Sequence, residues 1–127
     1  MHGLHLTADL RGCPALLPAM ADAAALRRLC LQAVAVAGLQ PVGELFRAFP
    51  QPGGVTGMVL LAESHLAVHT WPELAAVTLD VYVCNRLTDN SARAEVLLAT
   101  LEKAFAPQRS ERHRVQRGAV REERAVG

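Results

Sequence analysis

Apolar and polar residues along this chain fall into two rhythms, and the switches between them predict the elements. From Gly3 to Leu10 (GLHLTADL), Leu4, Leu6, Ala8 and Leu10 alternate with other residues. A period of two marks a half-buried strand, here ended by Gly12 and Pro14. Between about Ala15 and Ala37 the rhythm turns helical. Leu26, Leu29, Val34 and Ala37 gather near one face, Arg27 and Arg28 lie off it, and Gly38 supplies the stop. Pro18 then belongs in or before the first turn, because a proline deeper inside breaks the helical ladder. Short β-prone runs follow at 41–49, 55–62, 66–70 and 77–83, with the loop PQPGG at 50–54 between the first two. Runs in such close succession, with no helix between them, favour antiparallel neighbours. From Thr88 to Phe105 the helical rhythm returns, with Ala92, Val96, Ala99 and Phe105 joined by Leu97, Leu98 and Leu101. Thr88 or Asp89 reads as its N-cap, and Pro107 follows its end. His113 to Val115 reads as a last edge strand.

The order strand, helix, several strands, helix, strand predicts an α+β fold. The expected form is a two-layer α/β sandwich, a mainly antiparallel sheet with two helices on one face. At 127 residues it is one domain, expected over 1–117 with a flexible tail at 118–127. The sheet face without helices needs cover, and a homodimer packed sheet to sheet is the simplest cover.

Composition changes this picture in few places. Aromatic residues make up only 4%, so the core must rest on Leu, Val and Ala. A net charge of +1 gives no field to draw nucleic acid or a membrane surface. Arginines crowd between Arg109 and Arg124, but Glu111, Glu122 and Glu123 interrupt them and no aromatic interleaves for base stacking. That stretch reads as a solvated terminal strand and tail. Cys13, Cys30 and Cys84 are odd in number and lack CxxC spacing, so neither a zinc knuckle nor a disulfide framework is expected. There is no signal-peptide pattern and no apolar run near the roughly 20 residues that cross a bilayer. The expectation is a reduced, cytoplasmic protein without a bound metal.

The informative segment is Glu63 to Glu73, ESHLAVHTWPE, followed by Cys84 at the end of VTLDVYVC. Taken alone, its polar residues suit a solvated strand face as well as a site. His65 and His69 share a face if this run is a strand, but about 13 Å apart, too far for one metal ion. At this point a resemblance matters. ESHLAVHTWPE resembles the self-processing signature of the short prokaryotic S-adenosylmethionine decarboxylases, which carry ESHL, two residues, then HTWPE. GLHLTADLRGC resembles that family's opening strand, FRAFPQPGGVTG its strand and loop before the motif, and VTLDVYVC the strand ending in its catalytic cysteine. The likeness covers roughly residues 3 to 117.

The resemblance implies a pyruvoyl-dependent decarboxylase that makes its own prosthetic group. Ser64 Oγ attacks the carbonyl of Glu63, and an N-to-O acyl shift gives an ester. Removal of the α-proton of residue 64 then releases a β chain, 1–63, by β-elimination, and water converts the dehydroalanine left at 64 into a pyruvoyl, with loss of ammonia, at the start of the α chain. His69 matches the processing histidine, the base for that proton, as an imidazole titrates near neutrality. Thr56 stands where the family usually has a serine that assists processing, and its hydroxyl can still donate to a developing oxyanion. In the decarboxylation the pyruvoyl forms a Schiff base with the substrate amine, and Cys84 matches the proton donor. Glu73 matches the residue that binds ribose hydroxyls. Phe46 and Phe49 lie where an aromatic would stack on adenine or simply pack in the core, in a segment, FRAFPQPGG, that departs from the family's pattern in its order and by one extra residue. Trp71, Cys13 and Cys30 read as packing. The expected product is the aminopropyl donor for polyamine (spermidine) synthesis. Two alternatives remain open from sequence: the same chemistry on arginine or ornithine, and a non-catalytic regulatory paralogue.

Overall fold

The computed structural model describes residues 1–119. Its strands are β1 (Gly3–Arg11), β2 (Pro41–Ala48), β3 (Val55–Leu61), β4 (Ser64–Trp71), β5 (Ala76–Cys84) and β6 (Arg109–Arg117). Its helices are α1 (Ala23–Val36) and α2 (Ser91–Phe105). The strands form one sheet in the order β2-β3-β4-β5-β1-β6, and every neighbouring pair is antiparallel. Helix α1 packs over β2 and β3, α2 over β1 and β5, and the two helices touch. This is the two-layer α+β sandwich read from the pattern, with the sheet wholly antiparallel.

The alternation in each strand sends one set of side chains to the helices. Leu4, Leu6, Ala8 and Leu10 of β1, Leu66 and Val68 of β4, and Val77, Leu79, Val81 and Val83 of β5 are all buried. They meet Leu26, Cys30, Ala33 and Val34 of α1 and Ala94, Leu97, Leu98, Leu101 and Phe105 of α2. Truncating any one of these leucines to alanine costs about 2–5 kcal/mol, because the cavity left behind collapses only in part.

Three elements differ from the pattern reading. Residues 15–37 are not one helix: Pro18 to Met20 form a separate short 3₁₀ turn, and α1 starts at Ala23. The reason is Asp22, whose carboxylate accepts the N–H groups of Ala24 and Ala25 and so starts a new helix there. In α2 the buried face runs through Ala94 while Ala92, Val96 and Ala99 are exposed. The series 94-97-98-101-105 keeps helical spacing in a different phase. Finally, β6 is nine residues long, since all of it pairs with β1. It is exposed throughout, and Arg112 and Arg114 are tied to Glu95 and Glu102 of α2 instead of to an apolar core. The expected tail from 118 lies, from residue 120 on, outside the described residues. Among the described residues, no helix is long and apolar enough to cross a membrane.

Candidate active site

Strand β4 carries the motif, and its two ends build two different environments. At its start, β3 and β4 are joined by a two-residue turn, Ala62–Glu63, closed by the pair Leu61↔Ser64. Glu63 is exposed and sits in the left-handed region, φ 56°. For a residue with a Cβ that conformation costs about 1–2 kcal/mol. The bond expected to break therefore leaves a strained residue at a solvent-facing turn. Ser64 Oγ accepts the N–H of Cys84 at 3.2 Å, so the hydroxyl is anchored to the end of β5. Of the three free cysteines, Cys13 and Cys30 are buried and Cys84 alone is partly accessible. Burial pushes the Cys30 thiol up to about 12, which makes it inert at neutral pH.

The far end of β4 holds the remaining motif residues. Thr56 and His69 stand directly opposite one another in the β3–β4 register, on the face away from the helices. Thr56 Oγ1 and His69 Nδ1 are 3.1 Å apart, and the Trp71 ring lies 5.8 Å from that of His69. Beside them is a pocket of about 190 Å³ lined by Phe49, Gly54, Thr56, His69, Trp71 and Glu73, among others. Gly53 and Glu73 also border a larger hollow of about 650 Å³ against Leu16, Leu17 and Pro18. Glu73 is carried on the short 3₁₀ turn Pro72–Leu74. The buried Thr70 locks this corner: its hydroxyl accepts Val55 N–H and donates to Met20 O, both at 2.8 Å. Gly54 has no room for a side chain, since a Cβ there would strike the Thr70 carbonyl.

The structure thus joins Ser64 to Cys84, and Thr56 to His69, Phe49 and Glu73, but keeps the two groups apart. Ser64 and His69 are five residues apart on one strand, or about 17 Å at the usual rise. Within one chain that is far beyond hydrogen-bond reach. Phe46 joins neither group, for it packs toward the core from the helix side of β2, its ring over Gly57.

Between the two ends the helix-free face carries a polar patch that sequence reading missed. His65 stacks on Tyr82 with ring centroids 5.7 Å apart. His5 places Nε2 3.0 Å from Asp80 Oδ1 and Nδ1 3.1 Å from an Arg117 nitrogen. Guanidinium can only donate, so His5 Nδ1 is the acceptor and Nε2 carries the proton toward Asp80. His65 is held below the usual imidazole range, first by burial and then by nearby His5 and Arg117, against an opposing pull from Asp80. The alternation of β1 and β5 hinted at this patch, but only the strand order places β1 beside β5.

Similarity to known proteins gives the family. The sequence model of the S-adenosylmethionine decarboxylase family matches residues 4–118. The S-adenosylmethionine decarboxylase proenzyme of Aquifex aeolicus is 38% identical over 122 residues, covering 95% of this chain and 84% of that protein. The proenzyme of the same name from Archaeoglobus fulgidus is 37% identical over 116 residues, covering 91% and 97%. The crystal structure of the Aquifex aeolicus adenosylmethionine decarboxylase superposes with a TM-score of 0.84 at 35% identity, covering 98% of this chain and 97% of that one. The chain belongs to the S-adenosylmethionine decarboxylase family.

Proposed function

We propose that the chain is a proenzyme that cuts itself between Glu63 and Ser64 and then decarboxylates S-adenosylmethionine, yielding the aminopropyl donor for polyamine synthesis. The observation that carries this reading is the anchored Ser64 hydroxyl directly after the turn residue Glu63 with its left-handed backbone, one hydrogen bond from Cys84. Names of relatives supply the substrate: both proenzymes above are called S-adenosylmethionine decarboxylases. Nothing observed favours arginine or ornithine, and an intact Ser64, His69 and Cys84 argue against a non-catalytic paralogue.

The residues fit a pyruvoyl group made from Ser64. The serine lies at an exposed chain turn rather than in the core, and a partly accessible thiol ends the adjacent strand. When formed, the group supplies an electron sink for loss of the substrate carboxylate. Before that, the Cys84 N–H fixes Ser64 Oγ so that it can turn on the Glu63 carbonyl carbon. The cut releases Glu63 from its left-handed conformation. Cys84 then holds the proton that ends the decarboxylation, as a partly accessible thiol at the end of the adjacent strand can donate one. Glu73 and Phe49, at the mouth of the small pocket, are the residues for the ribose and adenine parts.

The processing base is the point at which one chain falls short, and a second copy resolves it. The helix-free sheet face exposes Leu45 at 76%, Leu60 at 49% and Met58 at 41%, an apolar surface of the kind that associates. Two copies packed face to face about a twofold axis running across the strands lay the start of one β4 over the end of the other. Thr56 and His69 of one copy then serve Ser64 and Cys84 of its partner, so the working unit is a homodimer of αβ units with two composite sites. The unpaired cysteines suit the reducing cytoplasm.

Intact mass and a denaturing gel test the self-cleavage: two chains, split after Glu63, are expected. Labelled S-adenosylmethionine, arginine and ornithine, supplied separately, test the substrate. CO2 release from the first alone is expected, and release from either amino acid alone would overturn the assignment.

A further inference from the structure

Cys84 lies two residues past the last β4–β5 pair, His65↔Tyr82, so the neighbouring strand no longer continues the ladder beside it. Side chains stand in for that strand. The Cys84 N–H goes to Ser64 Oγ, and the Cys84 carbonyl accepts from Asn90 Nδ2 at 2.9 Å. Asn90 occupies the N-cap position of α2, where an asparagine oxygen ordinarily accepts an N–H from the first turn. It makes no such bond. Asp89 instead takes the Ser91 N–H at 2.9 Å, which holds its own carboxyl below the usual range. Asn90 is thereby free to face Cys84. Its remaining groups are also occupied: Oδ1 accepts from Arg93, and its backbone N–H donates to Asn85 Oδ1, both at 2.8 Å. Asn85 Nδ2 reaches Ser91 Oγ at 3.0 Å, closing a ring of bonds over residues 84–91.

We infer that Asn90 is a positioning residue for the self-cleavage: it holds the carbonyl of Cys84, the residue whose own N–H in turn fixes the Ser64 hydroxyl. This rests on the proposed function and adds to it a residue outside the motif, working through backbone it never shares with Ser64. Capping and positioning are divided between adjacent residues, Asp89 for the helix and Asn90 for the site. The division makes the inference separable from plain helix stability.

Asn90→Asp keeps the side-chain size and remains a good N-cap, but it replaces the donor with a carboxylate facing the Cys84 carbonyl. In a cell-free synthesis chase read on a denaturing gel, the full-length chain should convert to two chains about tenfold more slowly than wild type, the rate equivalent of one ordinary hydrogen bond. Placed in an uncleavable Ser64→Ala background, the same change should lower the melting temperature by no more than the few degrees that one hydrogen bond is worth. Asp89→Ala should do the reverse, lowering the melting temperature while cleavage keeps the wild-type rate. Wild-type cleavage in Asn90→Asp would overturn the inference. So would slowing in both variants in step with lost melting temperature, which would make Asn90 a structural residue only. A wild-type chain that stayed uncut in the same chase would instead remove the self-cleavage, and this inference with it.

Discussion

The two ends of β4 are built on opposite principles. At the Ser64 end the chain is exposed, turns on two residues and holds Glu63 in a conformation that costs energy. At the His69 end it is locked, with a buried Thr70 hydroxyl tying three segments together and a glycine admitting the closest backbone approach. The contrast matches the work assigned to each. One end has to break and rearrange, so it sits where local opening is cheap. The other has to present Thr56, His69, Phe49 and Glu73 without moving, so packing and hydrogen bonds fix it. A strand of eight residues holds them apart, and in the proposed dimer a second copy brings a rigid end to a labile one.

Substitutions at each end should separate these roles. Ser64→Ala is the largest effect, abolishing the cut so that intact mass shows one chain. His69→Ala comes next, with cleavage slowed about 100-fold or more, the usual worth of a positioned base, although it lies at the other end of the strand. Cys84→Ala should break the pattern in a telling way: two chains still form, but CO2 release per processed site falls about 100-fold for want of the proton donor. Thr56→Val removes the hydroxyl against His69 and should slow cleavage about 100-fold, as loss of an oxyanion donor does. Thr56→Ser keeps the hydroxyl, sheds the methyl, and should cleave at least as fast as wild type.

The smallest expected effect belongs to the patch between the ends. His65 binds its proton less readily folded than unfolded, so the unfolded state takes up more protons as the pH drops. Stability should therefore decline as pH falls below about 6.5, the unfolded imidazole value. His65→Gln should flatten that part of a plot of melting temperature against pH.

Much of this was legible along the chain. Period-two alternation gave β1, whose one face is sealed by helices, β-prone runs gave β2 to β5, and only three residues of the fully exposed β6 were read, while ESHLAVHTWPE carried the resemblance to the family. Less legible were features that depend on hydrogen bonds between neighbours in space. Asp22 restarts α1 after Pro18 through its carboxylate, a contact that periodicity does not record. The phase of α2 was misplaced because Ala92, Ala94 and Ala99 look alike in sequence, and only packing against β1 and β5 selects Ala94. Cys84 meets Ser64 through the order of strands, twenty residues apart in the chain. The separation of Ser64 from His69 was implicit in strand spacing. A motif written on one line nevertheless reads as one site, and the rise of a strand divides it between two.

The composite site is tested most directly by mixing two variants that cannot process alone. Ser64→Ala, with His69 intact, is co-synthesised with His69→Ala, with Ser64 intact, and the two chains are distinguished by a mass tag. The account predicts that the His69→Ala chain, and only that chain, is cut after Glu63 once its partner is present. If both chains stay whole in the mixture while wild type cleaves beside them, each copy works with its own His69 and the account is wrong.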